Sequence, residues 1–238
     1  MMGTVKKIGI IGAMEAEVAY LKDAAAGAES SAGGLSFFEG AIDGVSVVVV
    51  RSGIGKVNAA LCAQRLIMQY GVTHVINTGI AGAAARGLGV LDFVASTDAV
   101  YHDMDATGFG YAPTVIPQMA CSAFPADKAM LAAAQEAFAA GKDVFGGHKL
   151  IAGRVATGDQ FIADKAVKAR IIKTCAPACV EMEGAAIAHA CWLNGTPFLI
   201  LRCMSDMADD EGETASVFNE QAAAEMSAKL VVNLLKKL

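Results

Sequence analysis

The feature that most constrains this chain is an alternation of short apolar runs with helix-length segments, with little else between them. Residues 7–13, 45–51, 72–78, 92–102, 149–157, 178–182 and 198–204 read as strands. Residues 16–26, 56–70, 126–140, 163–174, 184–193 and 217–236 read as helices. Strands and helices in this order pack as a twisted, mostly parallel sheet covered by helices on both faces. Asp43-Gly44, between the runs 36–42 and 45–51, is a hairpin-turn signal and makes the sheet mixed. Residues 79–87, 103–124 and 208–215 read as loops, the second long and rich in Gly, Pro and aromatics like a lid. No repeat or linker interrupts the pattern, so residues 1–238 are expected to form one α/β domain.

Composition narrows the partners. Hydrophobic residues make up 55% of the chain and charged residues 18%, enough to bury a large core. No apolar run approaches the roughly 20 residues of a membrane span, so no membrane partner is expected. A net charge of −5 with scattered lysines lacks the basic face that nucleic acid requires. Residues 8–14 follow two lysines in the manner of a signal peptide, but Glu15 and Glu17 interrupt the run, which reads better as a first core strand. The six cysteines show no paired spacing and read as reduced thiols of a cytoplasmic protein rather than as disulfides or zinc ligands.

In sheets of this kind ligands sit beyond the carboxyl ends of the strands. That rule selects residues 14–17, 52–56, 79–82, 158–162, 181–183 and 205–209. They contain Glu15, Glu181, Glu183 and Asp206, each just after an apolar run. Any one of them taken alone reads more readily as an N-cap or first-turn acid of a helix. Several converging on one pocket raise one another's carboxyl pKa and supply an acid at neutral pH. Glycosidic cleavage needs such a set, because the leaving group must be protonated and a water activated on the opposite face of the sugar. Gly9-Ile-Ile-Gly12 lacks the spacing of a dinucleotide fingerprint, and Gly55-Lys56 lacks the rest of a phosphate loop. His102-Asp103 with Asp105 has no second histidine at ligand spacing and reads as hydrogen bonding within the lid.

Seven segments carry a resemblance: Ile8-Gly-Ile-Ile-Gly-Ala-Met-Glu-Ala-Glu17, Ser52-Gly-Ile-Gly-Lys-Val57, Asn77-Thr-Gly-Ile-Ala-Gly82, Tyr101-His-Asp-Met-Asp-Ala-Thr-Gly-Phe-Gly-Tyr111, Thr157-Gly-Asp-Gln-Phe-Ile162, Val180-Glu-Met-Glu183 and Arg202-Cys-Met-Ser-Asp206. In this order and over nearly the whole chain, they resemble the 5′-methylthioadenosine/S-adenosylhomocysteine nucleosidases of the purine nucleoside phosphorylase-like family. The resemblance implies hydrolysis of 5′-thio-adenine nucleosides without metal or cofactor. It implies that Asp206 protonates N7 of adenine with Ser205 orienting it, and that Glu15 activates water. Glu183 would bind the ribose hydroxyls, aided by Met182 and Glu181, and Arg202 would position the ribose or the water. Phe161 would stack on the purine, the backbone of Phe161 or Ile162 would read its edge, and Ala81 and Gly82 would line the pocket. Met14, Ile54 and Phe218 would form the apolar wall around the 5′ substituent. In a homodimer, Phe109 and Pro117 would complete the neighbouring subunit's site. The sequence departs from the family pattern in the acidic loop 209–214, which leaves the register of Phe218 open, and at Ile80, where a smaller residue is frequent.

Three rival functions share the scaffold. A phosphorylase needs an anion site near the first strand end, where Glu15 and Glu17 would repel phosphate. A futalosine-type nucleosidase would share all the acids and differ in the 5′ pocket. A nucleoside-binding protein without activity has no use for an acid beneath N7.

Overall fold

A computed structural model describes residues 6–208 and 213–238, with residues 213–218 described by their backbone only. The first half of the chain runs β1 (Lys7–Gly12), α1 (Glu15–Ala24), β2 (Ala26–Ala32), β3 (Leu35–Ile42), β4 (Val45–Arg51), α2 (Lys56–Tyr70), β5 (His74–Ala83) and β6 (Phe93–Tyr101). The second half runs β7 (Phe124–Pro125), α3 (Lys128–Ala140), α4 (Lys142–Phe145), β8 (Leu150–Thr157), α5 (Lys165–Cys175), β9 (Cys179–Glu181), α6 (Gly184–Asn194), β10 (Phe198–Asp206) and α7 (Glu213–Leu235).

The strands form one mixed sheet in the order β10-β6-β8-β9-β5-β1-β4-β3-β2, and a further β10–β5 pairing closes the path on itself. The β1–β4, β1–β5, β10–β5, β6–β8 and β8–β9 pairs are parallel, as strands joined through helices must be. Strands β3 and β4 are antiparallel, Ile42 facing Val45 across Asp43 and Gly44, both at positive φ as a tight primed turn demands. Helices α1, α3 and α7 pack together as one group, and α2 with α6 as another, flanking the sheet. The β-branched run of β4 and the fully buried middle of β10 supply much of the core between them.

Local signals set the helix ends. Asp127 caps α3 by accepting from the Met130 amide at 2.8 Å, and Asp164 caps α5 through the Ala166 and Val167 amides. Gly71, in the left-handed region, ends α2.

Three sequence expectations shift. Helix α1 begins at Glu15, one residue earlier than the pattern suggested, and its end yields to a polar strand, β2, that the apolar periodicity did not reveal. Strand β5 continues through the small residues Gly79–Ala83 instead of giving way to a loop there, because β9 and β10 pair with that stretch. Of the expected loop 208–215, residues 209–212 lie outside the described residues, and α7 has begun by Glu213.

Candidate active site

A cavity of about 240 Å³ opens at the carboxyl ends of β1, β5, β9 and β10. A recess of about 40 Å³ adjoins it, sharing Gly82, Phe161, Met182 and Asp206 and adding Gln160 and Ile162. The position is the one the parallel topology favours, where strand ends splay and loops face one another.

Asp206 ends β10. A register shift between Met204 and Asp206 against β5 turns the last residues of the strand toward the cavity. Ser205 Oγ donates to Asp206 Oδ2 at 2.7 Å, and the Ala208 amide donates to Oδ1 at 2.6 Å. The carboxyl plane is therefore fixed from both sides. Gly82 faces it across the pairing: a Cβ there would come within 2.7 Å of the Ala208 Cβ and 3.0 Å of Asp206 Oδ1, so the strand admits no side chain at that point.

The acid at the first strand end is Glu17, not Glu15. Glu15 opens α1 and turns outward, pairing with Lys22 Nζ at 2.8 Å and Arg51 Nε at 3.7 Å with its side chain 53% exposed. Two residues further on, about 200° around the helix, Glu17 points the opposite way and is 2% exposed. Its Oε2 accepts from the amides of Ala13 (2.6 Å) and Met14 (3.0 Å), and its Oε1 from that of Ile80 (3.0 Å). Burial raises the Glu17 carboxyl above the usual range, opposed by Arg202 and by these amides. Glu17 lines the cavity and Glu15 does not, so the expectation that Glu15 handles water is corrected. The signal that distinguishes them is helical: an acid at the third position of a helix reaches back to the amides before it.

Glu183 stands at the N-terminus of α6, its Oε1 accepting from the Gly55 amide at 2.9 Å. Burial first, and the neighbouring Glu181 carboxylate second, push Glu183 up to about 7, with Arg202 opposing. Glu181 is differently employed. Thr157 Oγ1 and Arg202 Nη2 donate to it, as do the Glu183 and Gly184 amides at 3.0 and 2.7 Å. Three donors fall on Oε2 and one on Oε1, so the carboxylate is spent mainly on the protein, although Glu181 lines the cavity. Arg202 also misses the cavity wall. It is 1% exposed in the layer beneath, with Nη2 on Asn77 Oδ1 at 2.6 Å and 3.8 Å from Glu183 Oε2. Gly79 makes this layer possible, since a Cβ there would overlap both the guanidinium and the Glu17 carboxyl. Asn77, Gly79 and Thr157, all within the motifs above, thus serve this buried layer.

The remaining walls are apolar. Met14, Ile54, Ile80, Ala81, Val180 and Met182 line the cavity. Phe161, 71% exposed, presents an open aromatic face at its mouth, while Ile162 is buried against Val180 and Ala208. The loop carrying Phe161 is tied to α2, the Lys56 amide donating to Asp159 Oδ1 at 2.8 Å and the Asp159 amide to Asp103 Oδ2 at 3.0 Å. Phe109, 86% exposed, and the half-buried Pro117 do not line the cavity of their own chain. The side chain of Phe218 lies outside the described residues. Glu220 of α7, which the sequence did not single out, reaches the wall instead.

The arrangement thus sets a carboxyl fixed by a hydroxyl and an amide, a buried carboxyl with raised proton affinity, and a third near neutrality around one pocket with an aromatic lip. It can donate a proton at one point and accept one at another, which is the equipment of acid–base bond cleavage.

Comparison with known proteins is consistent over the full chain. Residues 7–237 match the model of the phosphorylase superfamily. A 5′-methylthioadenosine/S-adenosylhomocysteine nucleosidase of Treponema pallidum is 39% identical, the match covering 97% of this chain and 93% of that one. The crystal structure of a nucleosidase of the same description from Colwellia psychrerythraea, in complex with adenine, superimposes with a TM-score of 0.93 at 39% identity, covering 99% of this chain and 96% of that one. The structure of futalosine hydrolase of Helicobacter pylori gives a TM-score of 0.91 at 30% identity, covering 98% and 99%.

Proposed function

This chain belongs to the phosphorylase superfamily, and from that premise we propose that it hydrolyses the N-glycosidic bond of 5′-thio-adenine nucleosides, methylthioadenosine and S-adenosylhomocysteine, to adenine and the thioribose. The observation that carries the reading is that Glu17, Glu183 and Asp206, from α1, α6 and β10, line a single cavity.

Each residue has a task in that reaction. A departing purine anion is a poor leaving group, and Asp206 delivers a proton to N7 so that adenine leaves neutral. Ser205 Oγ can accept as well as donate, so it pairs with either protonation state of Asp206. As the bond to adenine breaks, the sugar gains positive charge, which the surrounding carboxylates stabilise. Glu183 accepts from the ribose hydroxyls. Glu17, desolvated and therefore more basic, takes the proton of the attacking water. Phe161 stacks on the purine, and Met14 and Ile54 surround the 5′ substituent. The whole of residues 1–238 is read as one domain, supported by the single connected sheet and by a family match over 7–237.

Water is favoured over phosphate as the nucleophile. Glu17, Glu181, Glu183, Asp206 and Glu220 line the cavity, and among the described residues no lysine or arginine does. The buried Arg202 is committed to carboxylates beneath. An incoming phosphate would meet like charge without compensation. Adenine release from methylthioadenosine, measured with and without phosphate, separates the readings: phosphate-independent release supports the hydrolase, phosphate-dependent release a phosphorylase, and no release a binding protein. The likeness to futalosine hydrolase supports a second substrate reading on the same chemistry, tested by running both nucleosides side by side.

We further infer a homodimer. Val57, Leu61 and Met68 on α2, Leu193 on α6 and Phe109 in the 103–124 segment are large, apolar and exposed. A second copy on this face would cover them and bring Phe109 and Pro117 to the neighbouring cavity. Six free cysteines, five of them buried, suit the reducing cytoplasm, where methionine salvage would use the products.

A further inference from the structure

Glu181 lies at the cavity wall but spends its carboxylate on the protein. Thr157 Oγ1 donates to Oε1, while Arg202 Nη2 and the Glu183 and Gly184 amides donate to Oε2. Thr157 Oγ1 in turn accepts from the Ala185 amide at 2.7 Å. One carboxylate therefore joins β8, β9, β10 and the first turn of α6, the turn that bears Glu183.

The charges around it are unequal. Arg202 is the cation of this layer, and Glu17 on α1, Glu181 on β9 and Glu183 on α6 all act on it, with the Cys179 thiol beside them. Its Nη2 rests on Glu181 and stands 3.8 Å from Glu183 Oε2. At the end of β6, Tyr101 and His102 also face Glu181, and Lys56 and Arg170 face His102. Arg202 is thus the cation shared by the acids of the site, and Glu181 holds it.

We propose that Glu181 is a positioning residue: by holding Arg202 and the first turn of α6 it keeps the guanidinium off Glu183 and Glu17, leaving those two carboxyls to the ribose and the water. The inference rests on the nucleosidase reading above. Without the Glu181 charge, Arg202 would stabilise the ionised forms of Glu17 and Glu183. Glu17 would then be a weaker base, and Glu183 would be charged before the substrate arrives.

Glu181→Gln tests this with little change of shape. The amide oxygen can keep two of the Oε2 donors, and the amide nitrogen faces Thr157 Oγ1, which can accept. Arg202 keeps Asn77, Glu183 and Glu17 as partners, so the fold is retained. With adenine release by the wild type as reference, the variant should lose kcat about 10-fold, with no rise in KM. The acidic limb of its kcat/KM profile should move to lower pH by about one unit. A raised KM and a lowered unfolding temperature with an unmoved limb would mean a purely structural role and overturn the proposal.

A second measurement needs no variant. Calorimetry of 5′-methylthiotubercidin, which has carbon in place of N7, in buffers of different ionisation heat should show release of about half a proton near pH 7, where Glu183 is half protonated, as it ionises against the ribose. Absence of proton release overturns the proposal. Wild-type protein that frees no adenine at any pH fails the nucleosidase reading instead, a distinguishable result.

Discussion

The Ile80 amide donates a 3.0 Å hydrogen bond to Glu17 Oε1, tying the first turn of α1 to strand β5 at the point where β5 passes the cavity. With the Ala13 and Met14 amides on Oε2, the carboxylate is held in one orientation by three backbone donors. Backbone donors cannot be exchanged by rotamer changes, so the geometry of the base is set by the sheet itself. Ile80 also contributes an apolar side chain to the wall beside Glu17, which limits the water that can solvate the carboxylate.

Replacing Asp206 by Asn keeps the shape of the acid and removes its proton. We expect kcat to fall by about 10²–10⁴, while the dissociation constant for methylthioadenosine stays within a few-fold of wild type. Single-turnover adenine release and equilibrium binding on the same preparation separate the two effects. A variant with wild-type turnover assigns the proton to another group.

The raised carboxyl of Glu183 makes stability depend on pH in a definite sense. A folded-state value of about 7 against an ordinary 4.5 means that the native protein binds more protons than the unfolded chain between those limits. The contribution is full below pH 4.5, is lost as pH rises toward 7, and is level above. Melting of the ligand-free protein from pH 5 to pH 8 should therefore show a decline that Glu183→Gln lessens. An identical pH profile in that variant contradicts the assignment.

Phe161 stands open at the cavity mouth, tethered through Asp159 to α2. Base stacking of this kind is worth about 1–3 kcal/mol. Phe161→Ala should weaken adenine binding by about 10- to 100-fold and leave the pH profile of turnover unmoved. Competitive inhibition by adenine reads the first effect directly.

The exposed apolar row on α2 predicts its own disruption. Leu61→Glu places a charge where a second copy would pack and should give a monomer in analytical ultracentrifugation. If Phe109 and Pro117 complete the neighbouring site, that monomer will also show a raised KM. A wild-type chain that sediments as a monomer removes the dimer reading.

Most of the sheet is legible in the sequence because strands such as β1, β4 and β10 are largely buried apolar runs. What escaped has a physical reason in each case. Strand β2, Ala-Gly-Ala-Glu-Ser-Ser-Ala, has no apolar face because it lies at the sheet edge and pairs only with β3. The small residues that end β5 look like a loop until β9 and β10, far along the chain, supply their partners. The motif around Glu15 and Glu17 lies beside the cavity, yet of its two acids the resemblance is carried onto Glu15, whereas Glu17 is the one that lines the wall. Two residues, about 200° of rotation about the axis, separate the outward acid from the inward one. Glu181 and Arg202 are both expected at the ligand from sequence, whereas Glu181 at the wall and Arg202 beneath it are hydrogen-bonded to each other. Motifs mark which residues gather; which of them face the ligand is settled by packing.

The most direct test sets the two acids of α1 against each other. Glu17→Gln and Glu15→Gln are equal chemical changes two residues apart, and adenine release from methylthioadenosine without phosphate measures both. Glu17→Gln should lose turnover by about 10²–10⁴ with substrate still bound, and Glu15→Gln should stay close to the wild-type rate. Full activity in Glu17→Gln, or its loss in Glu15→Gln, would contradict the account.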